Sequence, residues 1–232
     1  RMAGHGSTAG LMAYGDANAV AMEIGEYDVL PVVEEIPVIC GVHATDPRRR
    51  MWHWLGKVKD MGFSGVNNFP THTIVDGNFR KILEETGMGV EKEYDMIAVA
   101  RKMDMFSIVY VHSTDEAKAM AEAGADAIIA HVSTTVGGSI GVTDAAISLG
   151  AAAEKTQSII DAGKSVRDGI FYLSHGGPIL TPADAAYINE HTEAVGFVGA
   201  SSLERIAVES SLAALTEEFK SIPCPAGKQF FE

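Results

Sequence analysis

The chain has 232 residues, 47% hydrophobic and 21% charged, enough to bury a sizeable core in one large domain or two small ones. Lys and Arg number 18 against 31 Asp and Glu, giving a net charge of −13. So acidic a surface repels phosphate backbones and anionic bilayers, which argues against nucleic acid and membrane partners. Cys40, inside an apolar run, and Cys224 supply no disulfide framework or thiolate cluster, and a reducing, cytoplasmic setting is expected. No run of 18 or more apolar residues and no signal-type start is present.

The chain opens at Arg1 with a Gly-rich polar stretch, RMAGHGSTAGLMAYGDAN, and a helical pattern follows from about Ala17 with no strand before it. Residues up to about 35 thus read as a loop and helix ahead of the first visible strand, as if the chain began in mid-unit. From Ile36 one unit repeats: a short apolar run, a turn rich in Gly, Ser, Thr or His, then an amphipathic helix. The runs IPVICGVHA, GVNNFP, FSIVYVHS, DAIIAHV, GIFYLSHGG and AVGFVGAS predict six strands, apolar enough to be covered on both faces.

Helix starts follow most of them. Asp46 with Pro47 reads as an N-cap with Pro at the first helical position; Ser113 with Glu116, Thr181 with Asp184, and Ser201 with Glu204 have capping-box spacing. Gly62 and Gly124 stand where a left-handed residue closes a helix. Leu203, Ile206, Leu212, Leu215 and Phe219 share one face of the last helix and predict a core-facing stripe.

Alternating strands and helices imply parallel strands and right-handed crossovers, in an open doubly wound sheet or a closed barrel. Neither G-x-G-x-x-G nor a P-loop is present, so no nucleotide or other organic cofactor is expected. The reading is one domain over residues 1–232: a (β/α)8 TIM barrel without its first strand and most of its second unit, since a whole barrel needs roughly 250 residues.

Reacting groups of such barrels collect at the carboxyl ends of the strands. His43, His72, His112, His131 and His175 all fall there. Taken singly, each also reads as a hydrogen-bonded structural residue. His131 and His175 differ because glycines follow them, Gly137 and Gly138 in one case, Gly176 and Gly177 in the other, and glycine lets backbone N–H groups approach a ligand. The last two loops, SHGGPILTP and GASSLER, sit where these barrels bind phosphate, with Ser201 and Ser202 at a helix start and Arg205 as counter-charge. Asp16, Asp46, Asp76, Glu84 and Glu85 are carboxylates able to hold Mg2+ with waters. No H-x-H or H-E-x-x-H spacing supports zinc.

RMAGHGS, YGDAN, GFSGVNNFPT, DGNFRKILEETGMG, AEAGADAIIAH, GGSIG, HGGPI and GASSLER together resemble the phosphoenolpyruvate hydrolase-like TIM-barrel proteins, also called TIM-barrel signal-transduction proteins. That family also forms the C-terminal part of certain plant antiviral resistance proteins. The resemblance implies a barrel of the phosphoenolpyruvate/pyruvate superfamily, whose members make or break C–C or C–P bonds of 2-oxo acids, typically with Mg2+, and often form homo-oligomers. It implies rim residues at Asp16, Asn18, Asn68, Thr71, Glu84, Glu85, His131, Gly137, Gly138, His175, Gly176, Gly177, Ser201, Ser202 and Arg205. The expected function is cleavage of a small anionic 2-oxo acid or enol phosphate. His175 is then the general acid/base, His131 and Glu84 are its catalytic companions, and Asp16 is the Mg2+ ligand. Asn68, Thr71, the four glycines, Ser201, Ser202 and Arg205 would bind the anion. The alternative is a non-catalytic barrel that senses a ligand or binds a partner in signalling.

Overall fold

Six parallel strands pair in the order in which they occur along the chain: β1 (Ile39–Gly41), β2 (Gly65–Asn67), β3 (Phe106–Val111), β4 (Ala127–Ser133), β5 (Phe171–Gly176) and β6 (Gly196–Phe197). The computed structural model describes residues 15–138, 141–143 and 147–223. Between and around the strands lie α1 (Ala17–Ile24), α2 (Met51–Met61), α3 (Gly77–Glu85), α4 (Glu91–Lys102), α5 (Thr114–Ala123), α6 (Leu149–Lys164), α7 (Pro182–His191) and α8 (Ala207–Lys220). α1 runs on into a π-helical turn, Gly25–Val29, and a second one, Ser202–Ile206, leads into α8.

Strand order without a reversal excludes the doubly wound sheet, in which the chain turns back at a switch point. Crossovers that all advance the same way place every helix on one side, and the remaining face becomes the inside of a barrel. The fold is accordingly α/β of barrel type. Among the described residues β1 and β6 are unpaired edges, so the sheet is an open arc, in agreement with the expected incomplete barrel.

Strand alternation assigns the faces. Val66, Val109, Val111, Ile128 and Ala130 pack with Leu55, Met96, Met120 and Ile160 of the helices into the main core. Ile39, Asn67, Ile108, Tyr110, Ile129 and Val198 take the other face and line an interior cavity of about 480 Å³. A smaller core of Val132, Ala152, Ala153, Ile179 and Ile188 supports the end of β4.

The helix boundaries test the predicted caps. Ser113 with Glu116 and Thr181 with Asp184 form complete capping boxes, and Gly62 and Gly124 adopt left-handed φ of 105° and 99°. Asp46 does not cap α2, which begins later, after Arg50; its carboxylate instead accepts from the amide of Arg48 in a tight turn. Ser201 makes no side-chain cap either, because its backbone is already helical, with φ −57° and ψ −31°.

The predicted core-facing stripe on the last helix is the main correction. Leu203, Leu212, Leu215 and Phe219 are between 51% and 66% exposed, and α8 buries no residue among those described. Helical spacing shows that these residues share a face; it does not say what covers that face. Arg205, fully buried, anchors the π-helical turn, and beyond it the helix leaves the sheet. Ile128→Ala should therefore cost about 2–5 kcal/mol of unfolding free energy. Leu212→Ser should change it by less than about 0.5 kcal/mol, both read from urea unfolding.

Candidate functional site

The β4–β5 register sets His131 directly opposite His175. Both are buried on the interior face at the carboxyl end, with ring centroids 4.9 Å apart. The ring of Tyr110, from β3, meets His175 at 5.1 Å and His131 at 5.7 Å, edge on in both cases. Nδ1 of His175 lies 2.7 Å from the carbonyl oxygen of Val198; a carbonyl only accepts, so Nδ1 carries the proton and Nε2 is the basic nitrogen. Nδ1 of His131 is buried with no hydrogen-bond partner. Burial, reinforced by the neighbouring rings of His175 and His112 and by Lys155, holds the His131 imidazole well below its usual pKa and therefore neutral.

His112 extends this cluster, its ring centroid 5.9 Å from that of His131. Its Nδ1–H donates to the carbonyl of His131 at 2.7 Å, which makes Nε2 an acceptor for Lys155 Nζ at 3.1 Å. Lys155 also donates to the carbonyl of Val132 at 3.0 Å. Burial lowers the pKa of Lys155, opposed by the charge of Glu116, and lowers that of His112, helped by Lys155. Glu116 is buried; it accepts from the amides of His112 and Ser113 and pairs with Arg80 at 3.1 Å.

The other histidines form a separate group, so the expected rim of five divides in two. His43 and His72 meet edge on at 6.0 Å. His72 Nδ1–H donates to the carbonyl of Met88, and His43 Nε2 shares a hydrogen bond with Thr45. Asn18 clamps His43 by accepting from its amide and donating to its carbonyl, and donates also to Asp46. Burial lowers both pKa values.

Asn68 and Thr71 lie near this second group and are bound to a residue the sequence reading missed, Glu93. Its buried carboxylate accepts from Asn68 at 2.6 Å, from Thr71 at 2.7 Å and from the His72 amide at 2.7 Å. Asn68 also accepts from the amide of Tyr110 and donates to its carbonyl, fixing the strand that carries the Tyr110 ring. Asn68 and Thr71 are thus both held by Glu93. Glu84 is not brought to the imidazole pair: its carboxylate accepts from Arg80, which also donates to the carbonyls of His72 and Val75. Glu93 was legible as a carboxylate on the buried stripe of α4, beside Met96, Ile97 and Ala100. Lys155 follows Ala152 and Ala153 on the buried side of α6.

The glycine loop after β4 meets the turn after β6. Arg205 donates from one terminal nitrogen to Glu209 at 2.9 Å and from the other to the carbonyl of Gly137 at 3.1 Å, while its Nε–H is buried without an acceptor. A Cβ on Gly138 would overlap the guanidinium, so that glycine admits Arg205. Ser201 is buried and Ser202 partly so at the head of the same turn. The amide of Gly177 is not available to an anion: its N–H is already donated to the carbonyl of Ser133 at 2.9 Å. Gly176, at φ 81°, is required because a Cβ would overlap the Ser133 carbonyl.

Asp16 caps α1 and pairs with Arg49 at 2.8 Å and Arg48 at 3.0 Å; the Arg49 hydrogen bond holds its carboxyl below the usual range. Asp46 pairs with Arg49 as well. Among the described residues no three His, Cys, Asp or Glu converge on a metal position. These carboxylates, each bound to an arginine, do not fit a magnesium cage, and no metal-borne step is derived from them.

The fold and rim define a barrel-type α/β protein with a buried histidine pair at the strand carboxyl ends. The chain belongs to the phosphoenolpyruvate hydrolase-like family, whose sequence model matches residues 1–222. It is 49% identical over 223 residues to the ToMV susceptible protein tm-1(GCR26) of Solanum lycopersicum, covering 96% of this chain and 29% of that protein. The ToMV resistance protein Tm-1(GCR237) of the same plant matches with the same identity and coverage. The chain therefore spans less than a third of the length of these relatives. Phosphonopyruvate hydrolase is similar in structure with a TM-score of 0.43 and 18% identity, over 88% of this chain and 63% of that one. No helix among the described residues is long and apolar enough to cross a membrane.

Burial raises the Glu93 carboxyl from 4.5 to about 7, against the hydrogen bonds of His72, Thr71 and Asn68. Between these values the folded chain holds a proton that the unfolded chain has lost, so this group's contribution falls as pH rises from about 4.5 to about 7 and is level above. The histidines with lowered pKa act in the opposite sense, their stability rising with pH up to about 6.5. Subtracting the urea-unfolding profile of Glu93→Gln from that of the parent isolates the carboxyl. The difference should change by on the order of 3 kcal/mol across that window, and a flat difference would show the carboxyl ionised throughout.

Proposed function

We propose that the protein is an enzyme that cleaves a small anionic 2-oxo acid or enol phosphate by a hydrolytic or lytic route. The observation that carries this is the buried imidazole pair, His131 and His175, ring centroids 4.9 Å apart at the ends of adjacent strands. Two imidazoles whose environments differ suit proton transfer in opposite directions. His175, with Nδ1–H held by Val198, presents Nε2 as the general base and returns the proton as acid. His131, kept neutral, polarises the reacting oxygen. Arg205, with a buried N–H that lacks an acceptor, is the anchor for the carboxylate or phosphate, with the Ser201–Ser202 turn beside it.

A second reading is favoured by the relatives. Both tomato proteins are named for susceptibility or resistance to ToMV, and this chain corresponds to 29% of each. The barrel would then sense the same anion, or bind a partner, within a larger protein. Fold alone does not separate an enzyme from a sensor.

Thermal unfolding with phosphoenolpyruvate, pyruvate, oxaloacetate and inorganic phosphate, each with and without Mg2+, makes the first test. A ligand at 100 times its Kd adds about 2.7 kcal/mol of stability, and Arg205→Met should abolish the shift. Turnover of the shifting ligand should fall about 100-fold or more in His175→Ala. A loss below about tenfold with intact folding removes the acid/base role. A shift without turnover selects the sensor.

A further inference from the structure

Lys155 is a functional group that the acid/base scheme leaves unused. It reaches from the first half of α6 to the carboxyl end of β4, where Nζ donates to Val132 O at 3.0 Å and to His112 Nε2 at 3.1 Å. Nδ1 of His112 is also 3.4 Å from Nζ, but it carries the proton given to His131 O and cannot accept. Both acceptors of Lys155 are therefore neutral. Among the described residues its electrostatic partner of opposite charge is Glu116, whose carboxylate is already taken by Arg80 and by the amides of His112 and Ser113. A neutral primary amine has two N–H donors and one lone pair. Two hydrogen bonds to neutral acceptors use the donors and leave the lone pair.

We propose that Lys155 forms an imine with the carbonyl group of a 2-oxo acid bound at the His112–His131–His175 rim. The inference rests on the reading of this rim as a 2-oxo acid site, and it selects the oxo acid over the enol phosphate. Three features carry it: the pair of neutral acceptors, the half-buried position of the amine, and its place one ring from the imidazole pair. Burial, which lowers the pKa of Lys155, acts in the same direction by disfavouring the ammonium form.

The chemistry balances without any oxidant or reductant. The Lys155 nitrogen attacks the carbonyl carbon, a C–N bond forms, and the proton released by nitrogen is carried to the former carbonyl oxygen. The C–O bond then breaks, water leaves with a second proton that His175 takes up from solvent and relays as imidazolium, and the nitrogen lone pair completes the C=N bond of a protonated imine. Water adds back to release the amine. While it lasts, the protonated imine draws electrons from a bond one carbon removed, which is the requirement of a lytic cleavage. His112 is a positioning residue: its tautomer, fixed by His131 O, keeps Nε2 an acceptor for the amine.

The test is reductive trapping. The protein is incubated with pyruvate at neutral pH, treated with sodium cyanoborohydride to reduce any imine to a stable secondary amine, digested, and mapped by peptide mass spectrometry. Trapping at Lys155 should exceed the mean of the other lysines by more than about tenfold, since its amine is half-buried, hydrogen-bonded to two neutral acceptors and set beside the bound carbonyl. It should vanish in Lys155→Arg, with thermal unfolding of that variant confirming the fold, and persist in His112→Gln, which retains an acceptor. Adducts spread evenly over the lysines would overturn the proposal. So would no adduct at Lys155 while pyruvate still raises the unfolding temperature, an outcome that leaves the anion site standing. No adduct and no shift with any 2-oxo acid overturns both the imine and the reading on which it rests.

Discussion

Parallel pairing between strands that follow one another in the chain is the constraint on which the rest of this structure depends. It forces each connection across the same face, so the helices share one side and their apolar stripes bury the strand residues Val109, Val111, Ile128 and Ala130. It leaves the other side as an interior surface, and it gathers every carboxyl end at one rim. Within that frame the register decides chemistry. His131 opposes His175, and a shift of one residue on either strand would turn one imidazole toward the helices and dismantle the pair. The small core under the end of β4, built from Val132, Ile179 and Ile188, resists that shift.

Buried charge fixes what the strands do not. Loops at a barrel rim have few backbone partners, and each important one here is tied to an ionisable group out of solvent. Glu93 ties the loop after β2, Glu116 the start of α5, and Arg205 the glycine loop after β4 to the turn after β6. Such groups are costly to desolvate and are tolerated because donors or acceptors converge on them. Removing one partner strands the other, so these ties are stiff. Stiffness is transmitted to the rim: Glu93 holds Asn68, Asn68 holds the backbone of Tyr110, and the Tyr110 ring packs on both members of the imidazole pair. Arg205 departs from this pattern, since its Nε–H is buried without an acceptor.

The legibility of the fold followed the physics of each signal. Six apolar runs became six strands because a strand covered on both faces must be apolar throughout, as β4 shows. Ser113, Thr181, Gly62 and Gly124 were readable because caps are local, involving atoms within one helical turn. Asp46 and Ser201 misled because the same residue types also close turns or lie inside a helix, and only the backbone angles distinguish them. The stripe on α8 misled because periodicity is blind to what lies opposite. In the site, His131 and His175 were visible as histidines beside glycines, yet the division of the histidines into two groups depends on tertiary packing that no spacing encodes. Glu93 and Lys155 carried a usable signal, a charge on a buried helical face, which is worth reading as a question about its partner.

Under the proposed function, an acidic chain must reverse its own field locally to bind an acidic metabolite. With a net charge of −13 the mean potential repels an anion, but at physiological ionic strength a charge is screened within about 8 Å, so distant carboxylates matter little. What matters is the rim, where Arg205 is buried and the local carboxylates are already engaged: Glu209 by Arg205, Glu116 and Glu84 by Arg80, Asp16 and Asp46 by Arg49. Neutral imidazoles then serve better than charged ones. His131, held neutral by burial, adds no positive charge to the rim that carries Arg205. The lowered pKa of His131 and His112 follows from the same burial that makes a guanidinium strong there. In the proposed site, the neutrality of His131 and the strength of Arg205 as an anion anchor are thus two consequences of one desolvated rim.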